Sequence, residues 1–305
     1  GALERRDFRI LILDTPENPD RLIKFAIRVA KENNGEVDVL RVITVLEQTP
    51  LSAGIAFADS AKRAYKPLEE ALDKESITNH YLARISHDST EAILATIEEQ
   101  HIDLLLADFE TLRSNKKLQT LATCDALCIK RADDDLQLEA ISRTASSSNY
   151  IQARNPIYGQ QPPLQANLGF GNENNNKKKR LVVLFDHGEH SDIVLRTTKW
   201  VEHSGLFIVT ILSINKGHEE HTEEKKHPNH RNHSHQAHHL GMDGVEYNEI
   251  FLSKETESSI ESLTMLIQST INAAQTDLLI VGASIAKYSF LNDHHLLHLL
   301  ENLEC

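Results

Sequence analysis

The chain has 305 residues, of which 40% are hydrophobic and 25% charged, and its formal net charge is −13. This length suits roughly two globular domains of about 150 residues each. An acidic chain lacks the basic face that binds a phosphate backbone, so nucleic acid is excluded as a partner. No apolar run approaches the roughly 18 residues of a membrane span, and three scattered cysteines indicate a reducing cytosol.

Strand-like and helical segments alternate along the first half, which predicts an α/β fold with a parallel sheet. Ser89, Thr90 and Glu91 resemble a capping box at the start of one helix. Cys124 and Cys128 are spaced C-x3-C, and Cys128 is interpreted as a core thiol, not a zinc ligand. The predicted strands are 8–15, 36–45, 80–86, 102–109 and 125–131, and the predicted helices are 21–35, 60–74 and 88–101.

The pattern ends near residue 133 and then returns. Residues 144–179 are rich in Ser, Gln, Pro, Asn and Lys, and such a segment lacks the apolar side chains that offset ordering entropy. We predict a first domain at 1–143, a flexible linker at 144–179 and a second domain at 180–305.

The second domain repeats the first at a spacing of about 172 residues. KRLVVLFD, ending at Asp186, corresponds to FRILILD, ending at Asp14, and DLLIVGAS (277–284) corresponds to DLLLADF. A polar insert, predicted at 215–244, takes the place of the second helix. The sequence predicts two tandem copies of one α/β domain, each an open parallel sheet with flanking helices.

This order of elements, with Asp14 and Asp186 closing the first strands, resembles the universal stress protein fold, present twice. Residues 3–52 look like the cytosolic C-terminal domain of prokaryotic transporters of the amino acid–polyamine–organocation superfamily. That superfamily includes amino-acid permeases and cation–chloride cotransporters. The resemblance implies a domain on the cytoplasmic side of the cell membrane, with the transmembrane domain of the same transporter as its partner.

Stress proteins that bind ATP carry a glycine-rich loop after the fourth strand, because backbone N–H groups must approach the phosphates closely. Here no glycine lies between Gly54 and Gly159, and none follows Gly282. Asp108 and Glu110 add negative charge at the same place. We therefore expect no nucleotide partner and no cofactor.

Catalytic motifs of hydrolases, metalloproteases and dinucleotide enzymes are absent from the sequence, so we expect no enzyme. A polar cluster follows one strand and is interpreted as a solvated loop that caps the next helix, with a metal or acid–base site as the alternative. The cluster comprises Asp186, His187, Glu189, His190 and Asp192.

Eight histidines crowd residues 218–239, and closely spaced imidazoles chelate zinc, copper or nickel even from a mobile loop. We expect weak, adventitious metal binding, with a pH-responsive loop as the alternative. The histidines are His218, His221, His227, His230, His233, His235, His238 and His239.

Leucines at 296, 297, 299, 300 and 303 form an apolar helical face. Because the second copy shows no fifth strand, a sheet edge is also left to be covered. We expect a symmetric homodimer, with packing inside the chain as the competing explanation.

The predicted function is a non-enzymatic regulatory and dimerisation domain of an ion-coupled secondary active transporter. Two alternatives stay open. One is a universal-stress-type nucleotide-binding protein, and the other is a metal-responsive module that acts through the His-rich loop.

Deletion of residues 218–239 should leave the melting temperature nearly unchanged, because a solvated loop buries little surface and its closure cost varies slowly with length. The same deletion should abolish retention on nickel resin. Thermal denaturation and a resin-binding assay check both expectations. A loss of several degrees would show that the insert packs or holds a structural metal.

Overall fold

The computed structural model describes residues 7–14, 19–129, 178–216, 245–252, 259–285, 288–290 and 293–301. These residues divide into two compact units, one on each side of the gap between Ile129 and Lys178. No helix in the described ranges combines the length and the apolar character needed to cross a membrane.

The described part of the first unit contains a five-stranded parallel sheet in the order β3-β2-β1-β4-β5. A short 3₁₀ helix, Leu51–Gly54, precedes α2. The strands are β1 (Arg9–Leu13), β2 (Glu36–Thr44), β3 (Asn79–Ser86), β4 (Leu104–Asp108) and β5 (Asp125–Ile129), and the helices are α1 (Pro19–Asn33), α2 (Ile55–Lys74), α3 (Ser89–Glu99), α4 (Phe109–Ser114) and α5 (Lys116–Leu121).

Apolar side chains bury the central strands from both faces. Residues 10–13 of β1 are each 3% exposed or less, and residues 104–107 of β4 are fully buried. The crossovers through α1 and α2 move the chain in one direction along the sheet, and those through α3 to α5 move it back. Since such crossovers are right-handed, the two sets of helices cover opposite faces.

The second unit repeats this topology within its described residues, with a parallel sheet in the order β8-β7-β6-β9. The order matches β3-β2-β1-β4, so the predicted α/β fold with two parallel sheets is confirmed. The strands are β6 (Lys179–Phe185), β7 (Phe207–Lys216), β8 (Glu246–Leu252), β9 (Leu278–Val281), β10 (Ser284–Ile285) and β11 (Tyr288–Ser289), and the helices are α6 (Ser191–Glu202), α7 (Ile260–Ala273) and α8 (His294–Glu301).

The first unit differs from the sequence prediction chiefly at the start of α2 and at the cap of α3, and helices α4 and α5 were not predicted. Helix α2 begins at Ile55 and not near residue 60, because the short 3₁₀ helix runs directly into it. The cap of α3 is Asp88, whose side chain accepts from the backbone N–H groups of Thr90 and Glu91. The Ser-Thr-Glu pattern therefore lies one residue inside the helix.

The second unit also differs from the prediction, because its polar elements carry weak patterns. Asn215 and Lys216, assigned to the insert, belong to β7, where Lys216 pairs with Leu252. Strand β8 and helix α7 were not predicted. Residues 217–244, with all eight histidines of the insert, and residues 130–177, with most of the predicted linker, lie outside the described residues.

The leucine face of α8 packs inside the second unit. Leu296 is fully buried and Leu299 is 3% exposed, and both contact a core that includes Val182, Leu184 and Leu263. The expectation that this face forms a dimer contact is therefore wrong for these two leucines. The competing explanation, packing within the chain, accounts for them.

Gly35 and Gly205 follow corresponding helices but serve different purposes. Gly205 has φ +67 and no neighbour within 4 Å of an added Cβ, so it supplies a left-handed backbone. In the first unit Asn34 takes that conformation, with φ 50. A Cβ on Gly35 would instead lie 2.5 Å from the carbonyl oxygen of Phe8. That oxygen accepts from the N–H of Glu36 at 2.8 Å, so Gly35 lets β2 pair with β1.

Gly35→Ala should lower the free energy of unfolding by about 1–3 kcal/mol, because the new methyl group clashes with backbone that cannot move without losing strand pairing. Gly205→Asn is the matched control and should change it by less than about 0.5 kcal/mol, since asparagine tolerates the left-handed region. Urea denaturation followed by circular dichroism measures both. Equal effects would contradict the close-approach explanation.

Candidate functional site

Polar side chains gather at the carboxyl end of β1, between β2 and β4. The crossovers change direction between β1 and β4, and open α/β sheets bind ligands in the crevice at such a point. Asp14 follows β1 directly, and its N–H donates to the carbonyl of Leu40 at 2.8 Å. This bond holds Asp14 at the end of the sheet beside β2.

Asp14 forms an ion pair with Arg41 of β2. The Arg41 Nε–H donates to Asp14 Oδ2 at 3.0 Å, and the Asp14 side chain is 17% exposed and that of Arg41 27%. Burial raises the pKa of Asp14 above its ordinary 3.8, and the Arg41 charge opposes that rise. The site therefore presents a half-buried carboxylate next to a guanidinium.

Two tyrosines continue this cluster toward α2. Burial, followed by the charge of Asp14, raises the pKa of Tyr81 to about 12. Tyr81 stacks on Tyr65 of α2 with ring centroids 4.6 Å apart. The Tyr65 hydroxyl donates to Asn79 Oδ1 at 2.8 Å. Aromatic contact thus joins the Asp14–Arg41 pair to the helix that covers this face.

The other side of the crevice is the end of β4, where Asp108 caps α4. Asp108 Oδ1 accepts from the N–H of Thr111 at 2.7 Å, and Oδ2 accepts from the Thr111 hydroxyl at 2.6 Å. The carboxylate thus occupies donors that an anion would use at the start of this helix.

The corresponding aspartate of the second unit, Asp186, has a different role. Asp186 Oδ1 accepts from the N–H of Gly188 at 3.0 Å, which closes a local turn. His187 between them has φ 57, and its Nε2 lies 2.7 Å from the hydroxyl of fully buried Ser213. The ring of His187 also contacts Phe185 edge to face.

The rest of the predicted polar cluster forms separate local contacts. His190 Nε2 lies 3.2 Å from Glu189 Oε1, and Asp192 pairs with Arg196 one turn along α6. Gly282 follows β9 directly. A Cβ added to Gly282 would lie only 3.0 Å from the Cβ of His190. Within the described ranges no three His, Cys, Asp or Glu side chains form a group suited to a metal.

Neither described cysteine has the character of a metal ligand. Burial raises the pKa of Cys124 and of Cys128 to about 12, so both are thiols at neutral pH. The eight histidines of the insert, His218 to His239, lie in the part of the chain that the structure does not describe. Metal binding there stays a prediction.

Sequence patterns identified Asp14 and His187 but missed the side chains that contact them. These side chains are those of Arg41, Tyr81 and Ser213, which lie inside strands. The sequence pattern there indicates only solvent-facing or structural positions. Their roles depend on strand register, because Asp14 reaches Arg41 only when Leu13 pairs with Leu40. The spacing of residues along a single strand contains no such signal.

Residues 9–109, from β1 to the first residue of α4, match the family model described as the universal stress protein family. A comparison with curated proteins finds no match. Among solved structures, a universal stress protein from Archaeoglobus fulgidus in complex with dAMP is 15% identical and covers 40% of this chain and 98% of its own, with a TM-score of 0.34.

Two further solved structures are similar. A universal stress protein family protein from Arabidopsis thaliana with AMP bound is 13% identical and covers 42% of this chain and 94% of its own, with a TM-score of 0.32. A functionally unknown protein from Pseudomonas aeruginosa is also 13% identical and covers 97% of this chain and 89% of its own, with a TM-score of 0.48.

These comparisons correct one sequence prediction. The expectation of no nucleotide partner is contradicted, because similar structures contain dAMP and AMP. A glycine-rich loop is needed to hold a triphosphate, and its absence does not exclude a smaller nucleotide. None of the matches named above is described as a transporter.

Arg41→Met should raise the pKa of Asp14 further. Since the folded pKa already lies above 3.8, the folded chain binds this proton more tightly than the unfolded chain does. Ionisation of Asp14 therefore lowers the free energy of unfolding as pH rises from 3.8 through the folded pKa. In the variant this pH interval should extend to a higher pH, because the folded pKa is higher. Carbon-detected NMR titration of the Asp14 carboxyl measures the shift.

The control is Arg84→Met, which removes the cation that lowers the pKa of Glu99 on α3. It should raise the pKa of Glu99 and leave that of Asp14 unchanged. An Asp14 pKa that stays constant or falls in Arg41→Met would show that the ion pair does not act as described.

Proposed function

We propose that the first unit binds an adenine nucleoside monophosphate at the Asp14–Arg41 pair, and that it acts by binding and not by catalysis. The observation that carries the proposal is the match of residues 9–109 to the universal stress protein family. The matched residues include both strands that border the crevice, β1 and β4, and both members of the ion pair.

The ion pair offers the two kinds of group that a nucleotide needs. A ribose diol donates hydrogen bonds, and the Asp14 carboxylate accepts them. A phosphate accepts, and Arg41 has five N–H donors of which its Nε–H serves Asp14. Both groups are half-buried, which strengthens charge-assisted hydrogen bonds compared with those in water.

The charge around the crevice favours one phosphate over three. The Asp108 carboxylate at the end of β4 accepts a hydrogen bond from the Thr111 N–H, and Glu110 follows it on α4. The negative charges of a triphosphate would be repelled by these carboxylates, and no run of free backbone N–H groups has been identified here to offset the repulsion. A monophosphate held by Arg41 at the β2 side avoids that cost.

A binding role agrees with the state of Asp14. A general base needs a carboxylate that is available to take a proton from its substrate. The Asp14 carboxylate instead forms an ion pair with Arg41 at 3.0 Å. The adenine nucleotides present in similar solved structures supply the probes for a test.

Calorimetry should show that the full chain binds AMP with a dissociation constant below about 100 μM, and ATP at least about fivefold more weakly. Asp14→Asn should weaken AMP binding about tenfold or more, because one charge-assisted hydrogen bond contributes about 1.5–3 kcal/mol. Arg41→Met should weaken AMP by a similar factor and adenosine by less than about twofold, since adenosine has no phosphate.

Asp186→Asn and Arg84→Met are the matched controls, because they remove the corresponding aspartate of the second unit and an arginine paired on another face. Both should retain wild-type affinity for AMP. Tighter binding of ATP than AMP, or equal loss of adenosine and AMP in Arg41→Met, would refute this arrangement.

A second candidate role rests on the resemblance of residues 3–52 to the cytosolic domain of prokaryotic amino-acid permeases and cation–chloride cotransporters. In that role, the chain would regulate an ion-coupled transporter from the cytoplasmic side of the membrane, with the transmembrane domain of the same protein as its partner. Sequencing the gene upstream of residue 1 tests it. About ten to twelve apolar spans in the same reading frame would support the role, and a stop codon there would exclude it.

A further inference from the structure

Three exposed histidines lie on the first turns of α8, in the second unit. They are His294, His295 and His298. Leu296 and Leu299 of the same helix are buried in the core and fix its orientation. At about 100° per residue, His294 and His298 lie about 40° apart around the helix axis and about 150° from the mean direction of the two leucines. The two imidazoles are therefore held on one outward stripe of the helix.

His294 and His298 have the spacing and the geometry of a chelating pair. Their ring centroids are 6.5 Å apart, and the two ring planes differ by 21°. A tetrahedral zinc ion that bonds two imidazole nitrogens at about 2.1 Å requires ring centroids roughly 5 Å apart. Small rotations of two exposed side chains close this difference without moving the helix backbone. The pair can therefore hold one ion between its rings.

The stretch HHLLH (294–298) shares its two outer histidines with the zinc motif H-E-x-x-H but lacks the glutamate of that motif. In the motif, histidines four residues apart ligate zinc from one face of a helix, and the glutamate acts as a general base. His295 occupies the glutamate position here. The comparison favours metal binding by the pair and gives no support to metal-assisted hydrolysis.

His295 contacts a different group. Its Nε2 lies 3.5 Å from Glu261 Oε1 on α7. Its ring stands at 79° to that of His294, with centroids 5.9 Å apart. The Glu261 backbone N–H and the Ser259 hydroxyl lower the pKa of Glu261, so its carboxylate is charged at neutral pH. This carboxylate holds the His295 imidazole toward α7, and His295 therefore serves as the matched control for the pair.

Local charges compensate for the position of the pair at a helix start. The amino end of a helix carries partial positive charge, which opposes a bound cation. The Asp293 carboxylate offsets this charge, since its Oδ1 accepts from the N–H of His295 at 3.0 Å. Glu261 adds a second exposed carboxylate, and the whole chain has a formal net charge of −13. A divalent cation therefore meets negative charge on its approach to α8.

We propose that His294 and His298 bind one zinc ion, with water completing its coordination. Neutral imidazole is a ligand for zinc, copper and nickel, whereas Mg²⁺ and Ca²⁺ prefer oxygen. Since no group of three suitable ligands occurs in the described ranges, the ion is weakly held and exchangeable. The site belongs to the second unit and does not depend on nucleotide binding by the first. It is also separate from the eight histidines of the insert at 218–239.

The test must distinguish the pair from the insert, because the insert is expected to bind metal as well and to dominate retention on nickel resin. Imidazole NMR signals of the full chain, labelled with ¹⁵N-histidine, report each histidine by itself while a metal buffer sets the free Zn²⁺. The signals of His294 and His298 should shift together, with half-saturation below about 100 μM free Zn²⁺. Addition of about 10 mM Mg²⁺ should shift neither signal.

Single substitutions test the chelation. His294→Ala should raise the half-saturation of the His298 signal at least about tenfold, because one helix holds both ligands at a high effective concentration. His298→Ala should do the same to the His294 signal. His295→Ala is the control and should change the half-saturation of the pair by less than about twofold. Circular dichroism of each variant verifies that the fold is retained.

Three results would overturn the proposal. One is the absence of a saturable shift of either signal up to about 300 μM free Zn²⁺. Another is a separate half-saturation for His294 and for His298, which would show that the two rings bind independently. The last is an equal loss in His295→Ala, which would assign the ion to His295 and Glu261. Each of these results leaves nucleotide binding by the first unit unaffected, so the two proposals fail separately.

Discussion

The burial of β1 on both faces is the constraint from which the rest of the first unit follows. Residues 10–13 are almost wholly buried, so the strand must lie at the centre of a sheet with helices on both sides. The chain reaches this state by adding β2 and β3 on one side and β4 and β5 on the other. The change of direction beside β1 opens the crevice, and the residue that directly follows the strand is Asp14.

The position of Asp14 then determines its chemistry. At the end of a buried strand a carboxylate loses hydration, and burial raises its pKa. Arg41 offsets part of that cost because β2 extends beyond the end of β1 and brings a cation alongside. The ion pair is therefore a consequence of unequal strand lengths as much as of residue type. Tyr81 and Tyr65 extend the same layer to α2, so polar and aromatic groups share one face of the sheet.

The two units show how one topology can hold different sites. Both central strands are followed directly by an aspartate, but the second unit has no ion pair like that of Asp14 among its described contacts. Asp186 closes a turn with Gly188, and His187 reaches the buried hydroxyl of Ser213. His190 packs against Gly282 at the point where the crossovers reverse. Gly282, within DLLIVGAS, thus makes room for the side chain of His190.

The sequence by itself determined the alternation of strands and helices, the repeat, and the aspartates that follow the two central strands. These features are local, since apolar runs and capping residues act over a few neighbours. It failed for α7, whose flanking segments are polar, and for β8, an edge strand with charged residues. It also could not identify the partner of Asp14 or the burial of Leu296 and Leu299. Those depend on register and on which surfaces the folded chain covers, and only tertiary packing decides both.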